Sequence, residues 1–404
     1  MRLGRLSSFV FLVLSVASSA IAQETAEPGK AAFEAGWAAV DAGKFEEAIE
    51  FFEGARSAQV EAHGPRHRSV LESEHALGYA RSRLRQHERA IPHFERARGI
   101  ALFLEGQDSA TAARELWFIA DCQMYLRRYA EAEANGRRAH AGMTAAWGRD
   151  YRDADRLLEL IAAACRNQRH HAAARTFWGR VFEIRRRKLG PSHMATVSAL
   201  HELGKSEYEL GDYYAAAEHG TRLLELVEKL DPPAPAWVAS ALALRGVSLA
   251  LLGRREEALP DYRRALEIRL ADVGPAHERT AIAENNLGGI LRDLGRYDEA
   301  VEHYRKSIEI YSMQPAVPGA DLACPVNGLA KVRRRQKKLG EAEKLCRKAL
   351  AIREKRLPPD HVDLAGSLVT LAEILADRGR PAAARKACER AFGILVDPVE
   401  SRHS

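Results

Sequence analysis

Cysteine is scarce in this chain: five among 404 residues, at Cys122, Cys165, Cys324, Cys346 and Cys388. The count is odd, the spacing is wide and no Cys-x-x-Cys occurs, which removes the basis for a disulfide framework, a thiolate zinc site or a thioredoxin-like redox pair. Apolar runs long enough to cross a bilayer are missing, so no stable membrane insertion is expected. Glycine and proline are too thinly spread for a disordered chain, at 29 and 16 residues. Charge of one sign is barely in excess: 61 Lys and Arg face 55 Asp and Glu, for a net charge of +6. The basic blocks, Arg185-Arg186-Arg187-Lys188 and Arg333-Arg334-Arg335 with Lys337-Lys338, lack interleaved stacking aromatics, so nucleic acid is not an expected partner. There is no Gly-x-Ser-x-Gly elbow, no phosphate-binding loop and no dinucleotide fingerprint. His63 and His67 are four apart, but Gly64-Pro65 keeps them off one helix, and His170-His171 has no third ligand at metal spacing. These absences predict a non-catalytic protein without cofactor or metal.

Residues 1–22 have the layout of a secretory signal peptide. Arg2 and Arg5 supply the positive start, Phe9 to Val16 the short apolar run, and Ala20-Ile21-Ala22 a small-x-small cleavage site. Cleavage near Ala22 removes two arginines and no acid, lowering the net charge from +6 to +4. The mature protein is expected in the periplasm or secreted.

What the sequence does contain is a period. Alanine recurs every 42 residues, at Ala48, Ala90, Ala132, Ala174, Ala216, Ala258, Ala300, Ala342 and Ala384. Twelve residues upstream lies a column of only glycine or alanine: Gly36, Gly78, Ala120, Ala162, Gly204, Gly246, Gly288, Ala330 and Ala372. Four residues downstream come Phe52, Phe94, Trp178, Tyr262 and Tyr304. Spacings of 3, 4 and 7 place these groups on single helix stripes, and small residues let two helices approach closely. Gly43, Gly211, Gly253, Gly295 and Gly379 end the first helix of each unit. Gly64-Pro65, Gly190-Pro191 and Gly274-Pro275, with Pro358-Pro359, stop the second. In the first unit the helices are predicted at Ala31–Ala42 and Phe45–Ala62. A helix pair of this size cannot bury its apolar stripe alone, so the units must stack. The expected organisation is a signal peptide (1–22), a short linker (23–28), an array of nine 42-residue units (29–395) and a C-terminal tail (396–404). The expected fold is all-α, a right-handed α-solenoid superhelix of about nine helix-turn-helix repeats.

The pattern Gly-x-Tyr-x-x-Ala, with a small residue upstream and alanine downstream, resembles the tetratricopeptide repeat. The 42-residue period is similar to that of kinesin light chains and their bacterial relatives. The likeness is carried by Ala265-Leu266-Glu267-Ile268-Arg269 leading to Gly274-Pro275-Ala276-His277, Thr280 and Asn285-Asn286-Leu287-Gly288, and by Ala349 to Lys355 leading to Pro359-Asp360-His361. The resemblance implies that the first helices line a concave groove that binds proteins or peptides. It also implies that Asn285-Asn286 and Asn327 stand where light chains hold peptide backbone.

Counting from the small column puts Phe33, Trp37, Tyr79, Trp117 and Tyr125 on the groove side of the first three units. Aromatics on such a surface serve either as binding anchors or as packing against the next helix pair. In the eighth unit Lys331, Arg334 and Arg335 join Asn327, a set suited to acidic side chains or a terminal carboxylate, or else a solvated charged face. The expected function is a protein- or peptide-binding scaffold. The alternative is a structural or assembly subunit of an envelope complex that self-associates through its array ends, because Ile394-Leu395-Val396 leaves the last unit without a polar cap.

Overall fold

The computed structural model describes residues 27–230, 234–313 and 321–400. The signal peptide read over residues 1–22 lies outside the described residues, as do 401–404 of the tail. Among the described residues there are eighteen helices and no strand. They run in order as first and second helices of successive pairs: α1 (Lys30–Asp41) and α2 (Phe45–His63); α3 (Arg68–Arg83) and α4 (His87–Glu105); α5 (Ala110–Tyr125) and α6 (Tyr129–Trp147); α7 (Ala154–Asn167) and α8 (His171–Leu189); α9 (Met194–Leu210) and α10 (Tyr213–Val227). The series continues with α11 (Pro235–Leu251) and α12 (Arg255–Val273); α13 (Glu278–Asp293) and α14 (Tyr297–Ser312); α15 (Ala323–Arg335) and α16 (Leu339–Arg356); α17 (Val362–Asp377) and α18 (Pro381–Glu400). The pairs predicted from the period are therefore present, with the first two helices within a residue of the expected bounds.

The helices fall into two units. One holds residues 27–127 and 141–146, the other residues 128–140, 147–230, 234–313 and 321–400. Within the first unit α1 packs on α2, α2 on α3, α3 on α4 and α4 on α5. Within the second, each helix from α7 to α18 packs on its successor, and first helices also meet directly as α9 on α11, α13 on α15 and α15 on α17. Sequential packing of this kind is what an α-solenoid requires, since each pair hides its apolar stripe only against its neighbours.

The column arithmetic has a steric cause. Eight of the nine period alanines are wholly buried, and Ala384 nearly so. The aromatic ring of the second helix lies on the missing side chain of the first. A Cβ built at Gly78 would come within 2.7 Å of the Phe94 ring, and one at Gly288 within 3.1 Å of Tyr304. Any larger residue at Gly78 has to expel a fully buried Phe94.

The turn between paired helices is equally regular, and its chemistry is not uniform. The nine equivalent positions all have positive φ: Gly43, Gly211, Gly253, Gly295 and Gly379, but also Arg85, Arg127 and Arg169 near 60° and Lys337 at 61°. A side chain there crowds the backbone, which glycine avoids. Between pairs, the histidine after each Gly-Pro adds a function that spacing did not reveal. The Nδ1 atoms of His67, His193, His277 and His361 accept from the backbone N–H two residues on, at 3.3, 3.1, 3.0 and 3.2 Å, capping the next first helix. Thr196 and Thr280 donate back to the carbonyls of Gly190 and Gly274 at 2.8 and 2.7 Å.

Arg169 is exposed and holds its left-handed φ of 61° in the place other units give to glycine. Arg169→Gly is expected to raise the unfolding free energy by about 0.5–1 kcal/mol, the relieved crowding exceeding the entropy that glycine adds to the unfolded chain. Urea denaturation measures it, and an unchanged or lower midpoint would contradict the steric account.

Candidate functional site

In the first unit, the sequence-derived aromatics come together as a cluster. Trp37 on α1 lies 5.8 Å from Tyr79 on α3 and 5.5 Å from Phe52 on α2, between ring centroids. Phe33 sits 6.3 Å from Trp37 and 5.6 Å from Phe52. Phe33, Trp37 and Tyr79 are half-buried, and Phe33 and Trp37 pack on the core around Ala48 and Leu77. Arg83 covers Phe45 and Tyr79, its guanidinium 5.3 and 5.9 Å from their centroids. Trp117 belongs to a second stack, 6.2 Å from Phe118, which stacks in turn on Phe94 at 5.2 Å. Tyr125 stands apart: it is 64% exposed and lies parallel to His87 at 4.5 Å. These aromatics thus pack and present a surface at once.

In the second unit, Asn285, Asn327 and Lys331 line one cavity of about 400 Å³ between α11, α13 and α15. Asn286, Arg255, Arg292, Asp293, Tyr304 and Arg353 also line it. Asn285 Nδ2 donates to Asn286 Oδ1 at 3.3 Å. Asn327 is held almost wholly inside, its Nδ2 donating to Thr370 at 3.5 Å and its Oδ1 accepting from the Cys346 thiol at 3.7 Å. Lys331 is half-buried and has no ion pair among the described residues; burial, helped by the charge of Arg292, holds its ammonium below the usual lysine range. Arg292 is paired with Asp293 at 2.7 Å and donates to the Tyr304 hydroxyl at 3.4 Å. Arg334 does not join the cavity. It pairs with Glu373 and Asp377 of α17 at 2.5 and 2.7 Å, while Arg335 is exposed.

A second cavity of about 460 Å³ adjoins the first and shares Tyr262 and Asn286 with it. Its wall is more apolar, with Trp237, Ile282, Ala239 and Ala243, and it ends at Arg269 and Arg279. Trp237 meets His201 edge to face at 5.6 Å. Counting from the small column did not find Trp237, because it stands in the opening turn of α11, upstream of the positions sampled. The apolar groups beside an amide-and-cation wall suit an extended peptide: amides for its backbone, cations for its carboxylates, the indole for a side chain.

The buried thiols carry no such chemistry. Burial pushes Cys122, Cys165 and Cys346 up to about 12, which leaves them as small apolar fillers. Among the described residues no three His, Cys, Asp or Glu side chains are placed to hold a metal ion, and no helix is long and apolar enough to cross a membrane.

The model of the tetratricopeptide repeat matches residues 35–102, 153–229, 237–313 and 321–395. The chain belongs to the tetratricopeptide repeat family. No curated protein sequence matches it. Among solved structures, the apo form of RapI has a TM-score of 0.64 at 12% identity, over 91% of this chain and 97% of that one. A Rap protein complexed with competence and sporulation factor has a TM-score of 0.51 at 15% identity, over 92% and 99%. BtubC (BKLC) from P. vanneervenii aligns at 21% identity over 56% and 91%, with a TM-score of 0.47. The neighbours thus include kinesin-light-chain-like repeat proteins. At these identities the likeness is one of fold.

In the wall of the second cavity burial pushes the Glu202 carboxyl up, but His201, 3.8 Å away, and the charges of Lys205 and Arg166 outweigh it and hold the group down at about 2. A carboxyl with a lowered folded value adds stability above its unfolded value, near 4.5, and loses it as pH falls through about 2. Glu202→Gln is therefore expected to flatten the acid limb of the stability curve between pH 4.5 and 2, by on the order of 1 kcal/mol after screening by solvent. Denaturation at stepped pH checks this; an unchanged limb would remove Glu202 from the acid response.

Proposed function

We propose that the protein is a non-catalytic scaffold that binds a protein or peptide along the face formed by its first helices. The observation that carries this reading is the pair of adjoining cavities in the second unit, lined by Asn285, Asn286, Asn327, Lys331 and Trp237. Amides and cations hold a ligand without taking its protons at neutral pH, which favours binding over turnover. A Rap protein that shares the fold is complexed with competence and sporulation factor, and this supports partner binding by a fold of this kind. The half-exposed edges of Phe33, Trp37 and Tyr79 offer a separate contact surface in the first unit.

We further propose that residues 1–22 direct export and are removed near Ala22, so that the scaffold works in the periplasm or outside the cell. When the full chain is expressed in a bacterium with an outer membrane, the recovered protein is expected to begin at Gln23. A cytoplasmic product that keeps its leader would end the export reading.

A second reading has its own observation. The last helix, α18, exposes Phe392 and Leu395, at 66% and 51%. Exposed apolar side chains on this helix suit assembly of copies or docking on an envelope complex.

Affinity capture from the native envelope fraction, paired with sedimentation of the bait, separates the two. The bait is the mature chain from Gln23, beside a Trp237→Ala, Asn285→Ala variant with matching helicity and Tm. Capture of one partner by the first bait and at least about tenfold less by the second, a difference of about 1.4 kcal/mol, is the expected outcome. Equal capture by both, or a mass that grows with concentration and captures only more of the chain itself, moves assembly ahead.

A further inference from the structure

Two positions of the repeat that are apolar along most of the array are charged in the first unit. At the register of Glu74 on α3 stand Leu116, Leu158, Leu200, Leu242, Val326 and Leu368, and only Glu284 repeats the acid. At the register of Arg56 on α2, Arg98 and His140 follow, and then Phe182, Leu224, Leu266, Ile308 and Leu350. Glu74 is 4% exposed. One of its oxygens accepts from Arg56 Nη1 at 3.3 Å and from Arg96 Nε at 2.9 Å, and the other meets His93 Nδ1 at 2.6 Å. Burial pushes this carboxyl up, but His93 and Arg96 outweigh it and hold the group down at about 2, so it stays charged. Glu284 meets His303 in the same way, but Leu266 stands there in place of Arg56. A buried cluster of ions costs stability against an apolar seam, so its presence in one place calls for a reason.

The charged set stands at one end of a cleft of about 820 Å³, walled by the second helices α2 and α4 and floored by α3. One helical turn along each element the lining changes character. Arg56 gives way to Val60, Arg96 to Ile100 and Phe103, and Glu74 to Val70. The cleft therefore runs from a guanidinium end to an apolar end. At the apolar end Phe103 is 61% exposed, and the Arg66 guanidinium lies 4.8 Å from its ring centroid. Arg66 has no ion pair among the described residues. Gly99, exposed on α4, keeps the wall open: a Cβ there would meet nothing within 4 Å. The equivalent position carries Glu183, Glu225, Glu267 and Glu309 in four later repeats. Three guanidiniums, those of Arg56, Arg66 and Arg96, thus line the cleft with two carboxylates, Glu61 and Glu74, and Glu74 is shared between two of them.

We propose that this cleft is a second binding site, apart from the first-helix face, for a small amphiphilic anion whose head group meets Arg56 and Arg96 and whose apolar body lies on Val60, Val70, Ile100 and Phe103. The volume is that of a small-molecule site. An anionic head adds acceptors for guanidinium donors that one shared carboxylate does not satisfy, in charge-assisted hydrogen bonds. An apolar body removes the Phe103 ring and its aliphatic neighbours from water. A cation is repelled at the guanidinium end, and an ion without a body leaves the apolar end bare. The site shares no residue with the cavities of the second unit, so it stands or falls apart from the scaffold reading.

The test is calorimetric titration of the whole mature chain with decanoate and decyl phosphate, beside decylammonium and acetate, all below micelle formation. One anionic amphiphile is expected to bind per chain, at least about tenfold more tightly than decylammonium or acetate. Whichever of decanoate and decyl phosphate binds better assigns the head group. Two variants place the site. Gly99→Glu puts the carboxylate of the later repeats into the cleft, and Phe103→Ser removes the exposed ring. Both positions are exposed, so neither change touches the core. Each is expected to weaken the anion by about tenfold. The Trp237→Ala, Asn285→Ala variant is expected to bind it as the wild type does. No saturable binding of either anion overturns the site. So does decylammonium binding as tightly as the anions, which marks adsorption of any detergent. Full affinity in both cleft variants, or loss in the Trp237→Ala, Asn285→Ala variant instead, puts the anion elsewhere and overturns it as well.

Discussion

The seating of an aromatic ring on an absent side chain is the interaction on which the rest of this protein depends. Phe94 lies on Gly78, and Tyr304 is wedged between Gly288 and Gly328. The ring and its notch are sixteen residues apart in the chain, which fixes how closely paired helices approach and so where every other residue of the repeat faces. The rule is one of summed volume. Where the notch is alanine the occupant varies: in the α8 pair the larger ring of Trp178 stands at the position facing Ala162, and in the α16 pair Cys346, a smaller group, stands at the position facing Ala330. In the α10 pair the ring position is Gly220, and a Cβ there would come within 2.9 Å of Arg245 on α11. Arg245 stands one residue before Gly246, where other units carry Leu77, Ile119, Leu203 and Leu287. The space left by glycine lets it reach Asp261, which is buried, at 2.5 Å.

Because the core is met by a few columns, the first helices are free to differ on their other side. That freedom is used in opposite ways along the second unit, where Arg185, Arg269 and Arg353 stand in one register on second helices. Over Arg185 the first helix brings its own acids, Asp155 and Glu159, and the seam is closed by charge. Over Arg269 and Arg353 it brings alanine and asparagine, and the seam opens into cavities with amide, indole and cationic walls. The same backbone register therefore gives a self-satisfied segment and an open one, two repeats apart.

This contrast also explains what could be read in advance. The period, the buried alanines, the turns and the helix bounds follow from side chains that must face the core, and these repeat in the sequence. Asn285, Asn327 and Lys331 were legible for a related reason: one register on successive first helices puts them on one side. Arg334 fitted the same register, but two acids of α17 claim it, and such pairing across repeats has no signal in a column count. Column counting put Trp37 and Tyr79 on one side of the first helices without showing that Phe52 holds Trp37 and that the two rings meet. The histidine caps were seen only as part of a stop signal, since capping depends on backbone orientation rather than on a face. Arg353 was missed because inward positions of second helices read as core.

One question is why an arginine recurs at that inward position where its acids do not. The hydrogen bonds answer it. Arg185 Nη1 donates to the carbonyl of Ala195 at 3.4 Å, and Arg353 Nη1 donates to the carbonyl of Asp363, the equivalent atom, at 2.8 Å. Each reaches past its own pair to the opening turn of the next first helix, at the end His193 or His361 caps. No uncharged side chain spans that distance with several donors in a fixed fork. Arg185 and Arg353 thus join one pair to the next, with an acid overhead or without one, whereas Arg269 bonds only within its own pair, to Ala236 and Ser240. Losing the acid leaves a charge the fold cannot discard.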